Sequence, residues 1–508
     1  MVLSSGYGQH WLHQRSKQAI QAQKIESAST TPQGATNIHI PAFGTAATSE
    51  ENPIIPDPSL FDFGSQYSED CSTKLPTVAE CAAHLELLEA FYHIRLKVLS
   101  STALDSVLGI RPEPRTVYRK IYLGYGRGYS REEVKLRDDT FQERRKEKWS
   151  FYLALAAARF LRWTEAVEEQ LDGPKGSKDN SLHLPPIDVL MVWHALLLNP
   201  SWFRSFEARP LKNLFTTRFP WKEIHNAIDA DKMDWPYNMP RESIAWFLEK
   251  TGLEPDLFEA LIKTNTSSSI QQLLKRQGAP DSHENTHRGL TVEDVDAVLR
   301  RPADIDELQT MFLKCCRDAV NQDTTITKLV DAVQRQASFV DKMERQLWIR
   351  SPAIEGTLRR AIDRYSKFLK LFKLYAKTML VPTLDIDLAW HTHQCSPYRY
   401  EVGTVKMAGR LIDHDDKLDK GTLNSGFTRT KDLYRIRFAQ DYQVCNCWDC
   451  EALLSAITAQ SSETQTNTSV TVRYVYENVA YHRAVEIARR KGHKWLPIRI
   501  QEVQDAGS

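Results

Sequence analysis

Apolar positions recur at helical spacing through most of the chain. Between Ala79 and Leu99, the residues Leu85, Leu88, Phe91, Ile94 and Leu96 mark one face of an amphipathic helix. A longer run over residues 139–170 opens on Arg144, Arg145, Lys146 and Glu147. It continues through Trp149, Phe151, Leu153, Ala157, Phe160, Leu161 and Trp163, which predicts one long helix. Further helices are expected over residues 305–320, 325–347, 353–377 and 431–440. Ser351-Pro352 has the composition of an N-cap and first helical position, and Thr291 and Asp294 stand at capping-box spacing. Strict alternation is rare, and Val470-Thr-Val-Arg-Tyr-Val-Tyr476 is the one convincing strand. Gly124-Tyr-Gly-Arg-Gly-Tyr129 lacks the Lys-Ser/Thr ending of a phosphate loop and reads as a glycine-rich turn. The pattern therefore predicts a mainly α fold with minor β structure near the C-terminus.

Two polar stretches divide the chain. Residues 1–75, rich in Ser, Thr, Gly, Pro and Gln, read as a disordered tail, since little apolar surface offsets the entropy of ordering. Residues 264–290 read as a linker. The expected organisation is a helical half over 76–263, that linker, a second helical half over 291–455, and an extension over 456–508. A length of 508 residues suits two or three domains.

The halves carry related segments. Leu184-Pro-Pro-Ile-Asp-Val-Leu-Met-Val-Trp-His194 echoes Val381-Pro-Thr-Leu-Asp-Ile-Asp-Leu-Ala-Trp-His391. Laying Asp188 on Asp385 aligns Pro185 with Pro382, Trp193 with Trp390, His194 with His391, and Pro200 with Pro397. Upstream, Phe160 aligns with Phe368, with the loop over 171–181 inserted in the first copy. Each half is expected to be a long helix followed by a Pro/Asp-capped motif helix, giving a pseudo-repeated architecture. In the shared set, Asp188 and Asp385 are expected to cap their helices, Trp193 and Trp390 to fill the core, and His194 and His391 to satisfy buried partners.

Chemistry concentrates in the second copy. On a helix, Asp387, His391 and Cys395 fall at i, i+4 and i+8, one stripe able to hold zinc or iron. His393 points away from it. The first copy has Leu190, Leu196 and Leu198 where the second has Asp387, His393 and Cys395, so it cannot build the same site. Asp385, Asp387, His391, His393 and Cys395 are the candidate ligand-binding set. A second candidate metal group is Cys445-Asn-Cys447-Trp-Asp-Cys450, whose fourth ligand would have to come from His414, His391 or Cys395. Cys315 and Cys316 read as core.

Composition narrows the function. With 66 Lys and Arg against 65 Asp and Glu, bulk charge gives no case for nucleic acid. No apolar run reaches membrane-spanning length, so no membrane span is expected and a protein partner fits better. The eight cysteines show no disulfide-framework spacing, which suits the cytoplasm.

The paired Pro-x-x-Asp-x-x-x-x-Trp-His elements resemble the glycine-rich domain-containing protein-like family of plants and fungi. Cys81-Ala-Ala-His-Leu-Glu-Leu-Leu-Glu-Ala-Phe91, the Trp149–Trp163 helix and the Cys445–Cys450 segment resemble its fungal members, and the likeness covers about residues 76–455. The glycine-rich tail that names some plant relatives has no counterpart here. The resemblance also brings a 2-oxoglutarate-dependent oxygenase reading. That chemistry needs His-x-Asp/Glu and a distant His on a jelly roll of strands, whereas this chain offers His391-Thr-His393 on helices. The leading expectation is a binding or scaffold module and not an enzyme. The alternative is a metal-binding protein or metal-dependent enzyme using the second-copy cluster.

Overall fold

The computed structural model describes residues 44–45, 55–64, 75–112, 115–122, 124–138, 141–173, 182–206, 210–263, 267–278, 289–301, 305–321, 323–413, 420–460, 468–493 and 497–498. The fold is mainly α. Its centre is helix α1, Val78–Ser100, which starts in a reciprocal cap. The Glu80 amide donates to Thr77 Oγ1 (3.2 Å) and the Thr77 amide donates to Glu80 Oε2 (2.8 Å). The sequence predicts α1 to be amphipathic. Instead every residue from Cys81 to Phe91 is buried, Glu86 and Glu89 included, and Leu96 is exposed. A helix covered on all sides has no polar stripe, and its charged residues need partners inside. His225 Nδ1 meets Glu86 Oε2 at 2.7 Å.

Around α1 lie the long helices α2 (Phe141–Leu171), α4 (Glu307–Asn321), α5 (Thr324–Gln346) and α6 (Ile354–Leu374). Their positions follow the predicted ones within a few residues. Short motif helices follow two of them: α3 (Ile187–Leu197) packs on α2, and α7 (Leu384–Gln394) packs on α6. Helix α5 touches α1, α2 and α3, so it closes the first motif helix against the centre. Helix α6 starts two residues later than the Ser351-Pro352 pair suggests. Ala353 is the N-cap position, and Ser351 Oγ accepts the Ala353 amide (3.2 Å). Thr291 and Asp294 do form a capping box. Helices α8 (Pro397–Ala408), α9 (Lys420–Phe438), α10 (Trp448–Gln460) and α11 (Thr468–Arg490) complete the second part of the chain. No helix among the described residues is long and apolar enough to cross a membrane.

Three expectations change. The alternating segment 470–476 is not a strand but the first turns of α11, whose buried Val475, Val479, Val485 and Ala488 recur at helix-like intervals. Over seven residues an alternating pattern and a helical one overlap, and the longer run decides. The basic end of α11, which by composition alone reads as a solvated helix end, is paired: Arg489 and Arg490 both meet Glu486, and Arg490 reaches Glu344 (2.8 Å). The third change is a two-stranded hairpin, Arg115–Tyr122 (β1) with Tyr129–Leu136 (β2), in a stretch that reads as irregular. Both faces are exposed, so its alternation is not apolar against polar. Tyr118 and Tyr122 share a face with Lys120, Tyr129 and Arg131. The glycine-rich turn is confirmed, with Gly124, Gly126 and Gly128 at φ of 102°, 87° and 69°.

Part of the segment 1–75 is packed. Leu60 is buried, the Phe61 ring stacks on His225 (centroids 3.7 Å apart), and Gly44–Thr45 pairs with Pro497–Ile498. Within the expected linker, Ser268–Lys275 is a helix that buries Ile270, Leu273 and Leu274, while residues 264–266 and 279–288, the rest of the segment 1–75 and His414 lie outside the described residues.

Candidate functional site

Each motif helix is fixed by an arginine from the long helix before it. Arg159 Nε donates to Asp188 Oδ2 (2.7 Å), and its remaining nitrogens reach the carbonyls of Glu254 (2.8 Å) and Pro255 (3.0 Å). Arg364 Nε donates to Asp385 Oδ2 (2.6 Å), and its other nitrogens reach Thr383 Oγ1 (3.1 Å) and the Tyr442 carbonyl (2.6 Å). Neither aspartate caps its helix as expected. The cap positions are Pro186 and Thr383, without a side-chain cap bond, and each aspartate sits inside the first turn. A buried guanidinium competes for the carboxylate better than a backbone amide does, because the charge-assisted bond is about twice as strong as a neutral one. The two carboxyls differ. Burial is the largest influence on Asp385, yet Arg364 and Thr383 together hold it below the usual carboxylate range. Burial pushes Asp188 up, with Arg159 only partly offsetting it and Asp256 adding to the rise.

The tryptophans are core residues. Trp193 lies 5.1 Å from Trp163 and 4.7 Å from Phe219, centroid to centroid, and Trp390 lies 5.7 Å from Phe368. The Trp193 indole N–H finds no acceptor among the described residues. Trp390 Nε1 donates to Tyr400 Oη (2.8 Å), which donates to the Ile412 carbonyl (2.7 Å). Tyr400→Phe strands both partners in a dry site. It is expected to lower unfolding free energy by about 1–3 kcal/mol. A urea midpoint unchanged from wild type would contradict this.

The two motif helices meet through a residue that periodicity does not flag, His84 of α1. Thr392 donates its hydroxyl to the Leu388 carbonyl (2.8 Å), so towards His84 Nδ1 (2.8 Å) it accepts. That fixes the proton of His84 on Nδ1. Its Nε2 must then accept from His194 Nε2–H, 2.9 Å away. Three helices, α1, α3 and α7, are locked by one directional chain of neutral groups. Burial drives His84 well below its ordinary value, with the neighbouring His194 and His391 adding to the effect. Burial, then His391, pulls His194 down to about 3.

Among the second-copy residues, Asp387 and His391 do meet along the helix, at 3.4 Å between Oδ1 and Nε2, and His391 packs on Phe339 (4.5 Å). Asp385 is occupied by Arg364. His393 Nδ1 faces the Tyr365 hydroxyl (3.0 Å), its ring stands edge-on to Tyr400, and burial keeps it well below its ordinary value. Cys395, at the end of α7, is buried, and burial raises its thiol well above the usual value. Of the five candidates, the structure brings only Asp387 and His391 to each other. Among the described residues, one group has three metal-ligating atoms mutually within 4.8 Å, and it is Cys445, Cys447 and Cys450. Neither His391 nor Cys395 joins it, contrary to the suggestion that the fold would deliver one of them. Cys445 and Cys447 approach to 3.3 Å between sulfurs. Cys315 and Cys316 are core, as expected.

Mainly helical architecture, two arginine-clamped Trp-His helices and a bridging histidine define the class of this protein. The chain matches, over residues 265–402, which hold α4 to α7, the family model described as glycine-rich domain-containing protein-like. It is 35% identical over 271 residues to glycine-rich domain-containing protein 1 of Arabidopsis thaliana, covering 51% of this chain and 25% of that protein. It is 33% identical over 267 residues to glycine-rich domain-containing protein 2 of the same plant, covering 51% and 26%. The matched region thus spans about a quarter of these curated relatives. No solved structure matches the chain.

Proposed function

We propose that the chain is a helical binding or scaffold module whose paired Pro-Asp-Trp-His elements, two versions of one duplicated unit, build its core and not a reaction centre. The observation that carries this is the Thr392–His84–His194 chain, which uses polar atoms of both motif segments to lock helices together. A general base or metal ligand needs a lone pair facing substrate or ion, and here those of His84 are committed inside the fold. The exposed hairpin offers the binding surface in this reading. Tyr118, Tyr122, Tyr125 and Tyr129 stand in solvent among Arg119, Lys120, Arg127 and Arg131, which suits an acidic protein partner. Free cysteines fit a cytoplasmic setting.

Elemental analysis of the purified full chain and its variants tests the reading. Trp390→Ala is expected to lower the melting temperature strongly, while His391→Ala and His393→Ala leave any bound metal in place. Stoichiometric zinc or iron that both histidine variants lose would sink the module reading in favour of a metal-dependent protein.

A further inference from the structure

We propose that Cys445, Cys447 and Cys450 form a three-thiolate site for one thiophilic d10 metal ion, with Zn2+ the natural occupant. The proposal is independent of the module reading, since none of the three cysteines takes part in the arginine clamps or in the Thr392–His84–His194 chain. The three ligand atoms lie within 4.8 Å of one another, and the sulfurs of Cys445 and Cys447 are 3.3 Å apart. Zinc bonded to sulfur at about 2.3 Å in a tetrahedron sets its sulfurs about 3.8 Å apart. The observed triangle brackets that value. A disulfide needs about 2.05 Å and would use two thiols, leaving the third over.

The loop that presents the sulfurs is held at several points. Trp348 Nε1 donates to the Asn446 carbonyl (2.8 Å) and Trp448 Nε1 donates to the Gln346 carbonyl (2.9 Å). These bonds tie both sides of Cys447 to the end of α5 and the turn after it. Cys450 lies in the first turn of α10, and the Glu451 amide bonds to the Cys447 carbonyl (3.0 Å), so two thiols sit at a helix start that favours the thiolate form. A partial helix charge does not balance three thiolates. The neighbouring cations are already engaged, Arg360 by Glu451 and Arg483 by Asp449. A bound dication supplies the missing charge, and its uptake releases the three S–H protons to solvent. Cys445 and Cys450 are buried while Cys447 is partly exposed, which gives an ion access to the site and water access to its fourth coordination position.

The test uses the full chain, purified under reducing conditions without chelator. Mass-spectrometric elemental analysis is expected to find one zinc per chain, and exchange into Cd2+ to give a sulfur-to-cadmium charge-transfer band saturating at one equivalent. Cys445→Ser and Cys450→Ser lose the metal; Cys395→Ser and His391→Ala keep it. The cadmium titration of the unaltered chain keeps the test clear of variants that fail to fold. Copper(I) bound through the same cysteines supports the site and changes only the ion. A metal-free chain that gives no cadmium band overturns the proposal, as does a disulfide among these cysteines mapped in freshly isolated protein. Metal lost from His391→Ala but kept in Cys445→Ser also overturns it and, unlike the other two results, counts against the module reading as well.

Discussion

Arg364→Met is expected to lower the unfolding free energy by about 3–5 kcal/mol, the cost of leaving one buried charge without its partner. The guanidinium joins Asp385 and Thr383 on the second motif helix to the carbonyls of Asp441 and Tyr442, and it lies over the rings of Tyr434 (5.6 Å) and Tyr442 (5.7 Å). Methionine replaces the stem but none of the donors. Asp385 would then sit buried with its largest stabilising partner gone, and two backbone carbonyls would lose their hydrogen bonds. The pair itself is worth much less than this penalty, because desolvating two charges consumes most of their attraction. The double variant Arg364→Met/Asp385→Leu should therefore be more stable than Arg364→Met alone. Urea unfolding of the four proteins in the cycle measures both quantities. A single variant within about 1 kcal/mol of wild type, the range of exposed pairs, would show that Asp385 is solvated.

The same pair explains where the sequence was readable and where it was not. Long helices were legible because half their surface is wet: α5 and α6 carry clear apolar stripes, and their bounds fall within a few residues of the expected ones. In the duplication we propose, aligning Phe160 with Phe368 looks natural, yet the ion pairs align Arg159 with Arg364. That sets Phe160 against Tyr365 and Trp163 against Phe368, the two residues that pack on the motif tryptophans. The two registers differ by three residues, close to one helical turn, so apolar periodicity fits both and only the buried charge decides. The loop difference shrinks to eight residues, since the pairs are separated by 29 and 21 positions. His84 was illegible for a different reason. It lies in a helix buried on every side, where neighbours in sequence say nothing about partners 110 and 308 positions away. The second-copy Asp387 and His391 contact follows from i, i+4 spacing and was legible. Where His393 and Cys395 turn was not, because that depends on α6 and α8.

Those buried histidines also set the largest expected response to solution conditions. The folded-state values of His84, His194 and His393 are all depressed, His194 to about 3, while an unfolded histidine titrates near 6.5. A depressed histidine contributes stability that is fully present above the unfolded value. It is lost as pH falls from about 6.5 towards the folded value, since only the unfolded chain binds the proton. At pH 5 His194 has removed about 2 kcal/mol, and His84 and His393, shifted in the same direction, add to the loss. Glu89 works in the opposite direction. Burial, with Glu344 adding to it, raises its carboxyl to about 7, so its charged form weakens the native state at neutral pH. Protonation on acidification returns about 2.5 kcal/mol by pH 5. The net expectation of these four groups is a loss of stability between pH 8 and pH 5 that steepens below pH 5, where the return from Glu89 ends. Replacing His84 with Gln, which keeps an amide donor towards Thr392 and cannot take up a proton in either state, removes one of the three. The slope of unfolding free energy against pH should become shallower below pH 6, by at most about 1.4 kcal/mol per pH unit. Urea titrations at a series of pH values give both slopes. Equal slopes in the variant and the parent chain would mean that the folded protein protonates His84 as readily as the unfolded one, and that the chain joining α1, α3 and α7 is open to water.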